Sequence, residues 1–117
     1  MTSETPAPPE TCQTMAELRA QIDRVDAEIL NLLAQRVGYI DQAIVLKTRE
    51  NLPALIEDRV AQVIANVRKG AGERGLDPGL AERVWTELVA WAIAHEDKAL
   101  SRRPETGKPA TPRGEGR

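Results

Sequence analysis

The longest regular pattern in the chain runs from Thr14 to Thr48, where apolar residues recur every three or four positions. This period predicts one amphipathic helix of about 34 residues, roughly 50 Å long at 1.5 Å per residue. Thr14 is the expected N-cap, because Glu17 three residues later can complete a capping box. Wound at about 100° per residue, the helix gathers its apolar side chains on one side. This apolar stripe consists of Leu18, Ile22, Val25, Ile29, Leu32, Ile40 and Ala43.

A second, shorter helix is predicted from Ile56 to Lys69. Asn51 and Pro53 separate it from the first helix, because the residue before a proline disfavours the helical backbone conformation. The glycines after Lys69 predict the next connector. They are Gly70, Gly72 and Gly75, and the apolar face of the second helix comprises Val60, Val63, Ile64 and Val67.

A third helix is predicted from Pro78 to Leu100, with Asp77 as its N-cap and proline at the first helical position. Trp85 and Trp91 are expected in the core. His95 lies on the inward stripe and is expected to be a hydrogen-bonded inner residue rather than a general base. The inward stripe comprises Leu80, Ala81, Val84, Leu88, Trp91, Ala92, His95 and Ala99, with Glu96 at its margin.

The flanks differ from this helical region. Residues 1–13 carry three prolines, and residues 101–117 are rich in proline, glycine and charge. Both segments are predicted to be disordered, which leaves one folded domain over residues 14–100. The expected fold class is all-α, with one long and two shorter helices. Two partners of roughly 20 and 35 Å cannot cover a helix of about 50 Å, so we expect an intertwined helical homodimer. The alternative is an antiparallel coiled-coil hairpin.

The composition excludes several classes of function. The net charge is −2, from 16 basic and 18 acidic residues, so no basic excess is available to drive nucleic-acid binding. One cysteine and one histidine do not make a metal site. The N-terminus lacks an apolar signal core and no run approaches the roughly 18 residues of a membrane span, so a cytoplasmic protein without a membrane partner is expected.

Two cations lie on the apolar stripe of the first helix. Arg36 and Lys47 are within roughly 20° of each other by winding, and Arg59 lies about 40° from Val63 at the edge of the second helix. Burying cations is costly unless an anion accompanies them. Three interpretations are open. The side chains can snorkel to water, pair across a dimer with buried acids such as Asp26 or Glu96, or line a pocket for a small polyanionic carboxylate.

These residues resemble a known family. The segment LRAQIDRVDAEILNLLAQR (Leu18–Arg36), followed by Lys47, Pro53, Arg59 and a third helix that ends near Glu96, is similar to the all-helical AroQ class of chorismate mutases. It is also similar to their relatives, the isochorismate pyruvate-lyases of salicylate biosynthesis. The resemblance covers about residues 14–100.

The resemblance implies an intertwined homodimer with two sites for a small dicarboxylate. It implies that Arg19 reaches into the neighbour's site and that Arg36 holds a substrate carboxylate. Lys47 is implied to hydrogen-bond the enolpyruvyl ether oxygen and a carboxylate, while Arg59 closes the pocket. The conversion of chorismate to prephenate is a pericyclic rearrangement, so no nucleophile, metal or cofactor is expected. Lys47, Glu96 and Arg36 are the expected catalytic residues.

Three departures from the family pattern involve four positions. Glu96 stands where most bacterial mutases of this class have Gln, and a carboxylate cannot donate a hydrogen bond while a carboxylic acid can. We therefore expect Glu96 to act in its protonated form, with activity favouring acidic pH. Val60 stands where mutases commonly carry Glu for the ring hydroxyl, and Ile56 and Ala92 replace polar side chains that often assist binding.

The functional prediction is a chorismate mutase, which places the chain in aromatic amino acid biosynthesis. The alternative is an isochorismate pyruvate-lyase, since the pair Arg59-Val60 is more typical of that branch. A third hypothesis from another class is a non-catalytic helical dimerisation module. It predicts that changing Arg36 or Lys47 leaves the fold intact and abolishes nothing measurable.

Overall fold

The computed structural model describes residues 7–102. Its elements are a short 3-10 helix over Pro9–Thr11 and three α-helices, α1 (Met15–Glu50), α2 (Glu57–Glu73) and α3 (Pro78–Leu100). No strand occurs in this described part of the chain. The predicted all-α class, with one long and two shorter helices, is confirmed. Most of the predicted tail, residues 103–117, and the first six residues of the predicted lead lie outside the described residues.

Helix α1 begins at its predicted cap. The Thr14 carbonyl accepts from the Leu18 N–H at 3.0 Å, and the Thr14 hydroxyl oxygen accepts from the Glu17 N–H at 3.1 Å. Glu17 reaches back in turn, and its Oε1 accepts from the Gln13 N–H at 2.7 Å. In the usual capping box this side chain accepts from the N–H of the N-cap residue, here Thr14, so the observed donor lies one residue earlier in the chain. The N-cap prediction is confirmed, and the donors of the first turn are satisfied by side chains.

Helix α1 ends in a left-handed residue rather than at the proline. Asn51 has φ of 59°, and its N–H donates to the Thr48 carbonyl at 3.3 Å. The Leu52 N–H donates to the Lys47 carbonyl at 2.8 Å, which completes a Schellman motif. The helix therefore runs to Glu50, two residues past the predicted end, and Lys47 lies in its last turn.

The left-handed cap at Asn51 gives a first testable prediction. A side chain with a Cβ and no local polar group loses about 1 kcal/mol or more in this backbone region. We expect Asn51→Ala to lower the free energy of unfolding by about 1 kcal/mol, measured by urea denaturation. Asn51→Gly should keep it at or above the unmodified value. Equal stability of the two variants would contradict this account of the cap.

Helix α2 corrects the predicted connector. Gly70 and Gly72 lie inside the helix, which continues to Glu73, so the prediction that all three glycines form a connector is wrong. A helical glycine costs only about 1 kcal/mol relative to alanine and does not by itself end a helix. Gly75 does end it, because its φ of 72° is left-handed and lets the Leu76 N–H donate to the Ala71 carbonyl at 2.8 Å.

Helix α3 has the predicted bounds. Asp77 caps it, since its Oδ1 accepts from the Gly79 N–H at 2.9 Å. The expectation that both tryptophans are core residues is wrong for Trp91, which is 51% exposed, while Trp85 is half-buried. Trp91 stacks on His95 at the surface instead, with ring centroids 4.7 Å apart. None of the described helices has the length and apolar content that crossing a membrane requires.

The chain divides into two compact units, Met1–Tyr39 and Ile40–Arg117. In the first, the segment before α1 lies against that helix, and the Ala7 N–H donates to Gln21 Oε1 at 3.0 Å. The apolar stripe there is open, since Ile22 is 49% exposed and Leu32 is 60% exposed.

In the second unit, α2 and α3 pack against each other. Its buried apolar residues are mostly alanines, with one leucine: Ala54, Ala71, Ala81, Ala92 and Leu100. The one buried charged residue among those described is Glu96, which is 5% exposed.

Candidate active site

A largely buried ion pair links α1 to α3. Lys47 Nζ donates to Glu96 Oε1 at 2.6 Å, and the two side chains are only 17% and 6% exposed. Lys47 Nζ also donates to the carbonyl of Ala54 at 2.8 Å. Ala54 is itself buried in the connector between α1 and α2. The lysine ammonium is therefore held from two sides, by a carboxylate on α3 and by the backbone of the connector.

The backbone of Lys47 is hydrogen-bonded as well as its side chain. Its carbonyl accepts the Leu52 N–H of the Schellman motif, so the end of α1 and the entry to the connector meet at this residue. The Asn51 turn then brings Ala54 under the ammonium group. Asn51 makes this turn possible, because asparagine tolerates the left-handed backbone conformation better than most residues with a Cβ.

The pair is a weak source of stability and a good source of oriented charge. Taking both ions out of water costs several kcal/mol each, which their attraction offsets only with good geometry. Groups held this way need little reorganisation when a charged substrate arrives. Among the interpretations of the cations, Glu96 is confirmed as the partner of Lys47, but the pair forms within one chain and not across a dimer. The other candidate acid, Asp26, is exposed.

A second contact between α1 and α3 lies next to the first. His95 Nε2 is 2.8 Å from Asp41 Oδ1, and the His95 ring stacks on Trp91 at an interplanar angle of 14°. The expectation that His95 is hydrogen-bonded is confirmed, but its side chain is 36% exposed and is not an inner residue. Sequence reasoning missed Asp41, since by winding it lies well off the apolar stripe. No pattern in the sequence marks a carboxylate that pairs with a histidine 54 residues later.

The other predicted site residues lie on all three helices. Arg19 is exposed and Arg36 is half-buried, and neither makes a hydrogen bond or ion pair with another residue of the range 7–102. Arg59 is exposed, and its Nη1 donates to Gln62 Oε1 within α2 at 2.5 Å. Val60 is half-buried.

Ala92 is buried one helical turn before Glu96, so these two side chains share a face of α3. The structure thus brings Lys47 and Glu96 together, and the catalytic and binding roles of all the predicted residues stay predictions. Within residues 7–102, no three histidine, cysteine or acidic side chains gather closely enough to hold a metal ion.

Comparison with known families identifies the family of the chain. A sequence model described as chorismate mutase type II matches residues 18–97, a range that contains the whole predicted set from Arg19 to Glu96. The chain belongs to the chorismate mutase type II family. The family resemblance seen in the sequence is confirmed.

Several relatives are similar to the chain. The isochorismate pyruvate lyase of Pseudomonas aeruginosa is 34% identical over 91 residues, which are 77% of this chain and 88% of that protein. The T-protein of Enterobacter agglomerans is 39% identical over 83 residues, 71% of this chain but only 22% of the T-protein. The chorismate mutase of Methanocaldococcus jannaschii is 25% identical over 77 residues, 66% of this chain and 78% of that enzyme. No solved structure gives a significant match.

Proposed function

We propose that this chain is a chorismate mutase, an enzyme that rearranges chorismate to prephenate. The observation that carries the proposal is the buried Lys47–Glu96 pair inside a chorismate mutase type II chain. Such a reaction needs no nucleophile, and its barrier falls when the substrate is held in a compact conformer beside fixed charges. Membership of a family of catalysts weighs against the non-catalytic dimerisation module. Formation of prephenate from chorismate by the purified chain tests the proposal.

The cations have separate roles in this proposal. Lys47 stabilises the charge that grows on the ether oxygen as the C–O bond breaks, because its ammonium is oriented by Glu96 and the Ala54 carbonyl. Arg36 binds a substrate carboxylate with its planar guanidinium, which matches the geometry of a carboxylate. Arg59 closes the pocket from α2. Because three cations serve one site in this proposal, the proposed substrate is a small dicarboxylate.

The active form in this proposal is a homodimer in which Arg19 serves the partner's site. The open apolar stripe supports it, because Val25 is 41% exposed, Ile29 47% and Leu32 60%. An apolar patch of this kind is unusual on a monomeric protein and typical of an interface. Arg19 is exposed on the same segment of α1, where it is available to a second copy.

Glu96 is proposed to donate a hydrogen bond to the substrate in its protonated form. In the structure its Oε1 accepts from Lys47, and a carboxylic acid can keep that contact through its carbonyl oxygen while its O–H donates to the substrate. A glutamine amide donates at any pH, whereas a carboxyl group donates only while it carries its proton. We expect Glu96→Gln to retain activity at high pH, where the unmodified chain loses it, so that the pH–rate profile becomes flatter. The measurement is the initial rate of chorismate consumption across the pH range.

A matched control for Glu96→Gln is Glu82→Gln. Glu82 also pairs with a cation at 2.6 Å, but its side chain is 45% exposed and it lies near the start of α3. The control should have the pH–rate profile of the unmodified chain. A profile that Glu96→Gln leaves unchanged would refute the donor role.

The second candidate function is an isochorismate pyruvate-lyase, which forms salicylate and pyruvate from isochorismate. Val60 favours it, because a half-buried valine cannot hydrogen-bond a ring hydroxyl. The lyase of Pseudomonas aeruginosa supports it as well, since the match spans 88% of that protein. Both reactions break the same kind of ether bond in a dicarboxylate, so one set of cations suits both.

A further inference from the structure

The contact between Asp41 and His95 stands beside the Lys47–Glu96 pair and has no role in the mechanism above. Both contacts join α1 to α3, and both lie in the unit that begins at Ile40. His95 and Glu96 are neighbours in sequence, so their side chains leave α3 about 100° apart. Their partners on α1 are six residues apart, roughly 9 Å along the helix axis.

Two contacts in this geometry constrain α3 more than either does alone. The packing of α3 on α2 and the Lys47–Glu96 contact still permit small rotations of α3 about its axis, because the flexible lysine side chain can follow them. A second contact, about 100° round the helix and reaching a different turn of α1, opposes that rotation. The imidazole is also held by stacking on Trp91, with ring centroids 4.7 Å apart, so its direction is defined.

We propose that Asp41 and His95 are positioning residues that hold Glu96 in register with Lys47. The inference rests on the proposed function, because its effect on rate appears only if Glu96 touches the substrate. A neutral imidazole suffices, since its Nε2–H donates to the Asp41 carboxylate. The side chains are 36% and 59% exposed, and such exposed pairs add little to stability. We therefore expect loss of the Asp41–His95 contact to alter the register of α3 without unfolding the chain.

The kinetic test compares two substitutions of Asp41 with a control. Asp41→Ala removes the acceptor, and we expect kcat to fall by about tenfold with little change in KM, because a small misplacement of a catalytic group is costly. Asp41→Asn keeps an acceptor oxygen and should restore kcat to within about twofold of the unmodified chain. The control Arg68→Ala breaks an ion pair of comparable exposure between α2 and α3 and should leave kcat unchanged.

The expected loss must also depend on Glu96. In a Glu96→Ala background, Asp41→Ala should lower kcat by less than about twofold further, since residues that act through one group are not additive. An equal loss in both backgrounds would overturn the proposal, as would a kcat that Asp41→Ala does not change. Failure of Asp41→Asn to restore kcat would overturn it as well.

A measurement independent of activity separates this inference from the proposed function. The free energies of unfolding of Asp41→Ala, Glu96→Gln and their double variant form a cycle. The two residues are bonded to different partners, so a coupling energy between them reports transmission through α3. We expect a non-zero coupling here and additivity when Arg68→Ala replaces Asp41→Ala. Additivity in both cycles would overturn the positioning role. If the unmodified chain is inactive on both substrates, the proposed function is refuted. The stability cycle then tests the positioning role on its own.

Discussion

Replacing Lys47 with methionine should lower kcat by about 10²- to 10³-fold, the usual effect of removing one oriented group that stabilises transition-state charge. Methionine preserves much of the side-chain length and removes the ammonium that Glu96 and the Ala54 carbonyl hold. The measurement is the initial rate of chorismate loss under substrate saturation. The matched control is Lys69→Met, because Lys69 is a helical lysine with an 80% exposed side chain and a distant partner in Glu73 at 3.7 Å. The control should keep full activity.

The stability of the Lys47 variant must be measured alongside its rate. Removing one partner of a buried ion pair leaves the other charge uncompensated, which costs about 3–5 kcal/mol. The double variant Lys47→Met with Glu96→Gln removes both charges and should recover much of that stability. Its activity should stay as low as that of Lys47→Met alone. A folded double variant with normal kcat would contradict the role given to Lys47.

Mixing two inactive variants should restore activity if Arg19 serves the partner's site. Arg19→Ala and Lys47→Met homodimers each carry a lesion in both sites. In a dimer of one chain of each kind, one site carries both lesions and the other carries neither. Random reassortment of equal amounts makes half the dimers mixed, so activity should return to about a quarter of the unmodified level. The measurement is the rate after the two proteins are unfolded together and refolded.

The outcome of the mixing experiment depends on whether each residue serves the site of its own chain or that of the partner. If Arg19 acted within its own chain, every site in a mixed dimer would keep one lesion, and no activity would return. The control mixes Arg36→Ala with Lys47→Met. Both residues are proposed to serve the site of their own chain, so each site of that mixed dimer has one lesion. Recovery in the control, or none with Arg19→Ala, would contradict the intertwined arrangement.

The local signals in the sequence predicted the helices well where side chains determine the ends. Asp77-Pro78 and Thr14 supply caps through short-range hydrogen bonds, and both helix starts agree with the structure to within a residue. The sequence pattern ends α1 two residues early, because it does not reveal that Asn51 adopts a φ of 59°. It also predicts a helix end at Gly70, because the sequence alone does not distinguish a helical glycine from a left-handed one.

The candidate site was predictable only in part. The helical winding of α1 singled out Lys47 as a cation on an apolar stripe, and Glu96 was one of two acids considered as its partner. The pair itself links residues 49 positions apart and depends on how α3 crosses α1, which periodicity does not determine. The same holds for Asp41 and His95. Arg19 was found through the family resemblance and not through the stripe, from which it is about 100° removed.

The two candidate reactions are distinguished by supplying the purified chain separately with chorismate and with isochorismate. Prephenate is assayed in the first reaction, and salicylate and pyruvate in the second. We expect prephenate from chorismate, with a kcat/KM above that for pyruvate release from isochorismate and a loss of about 10²-fold or more with Lys47→Met. Salicylate and pyruvate from isochorismate, with no prephenate from chorismate, would contradict it in favour of the lyase.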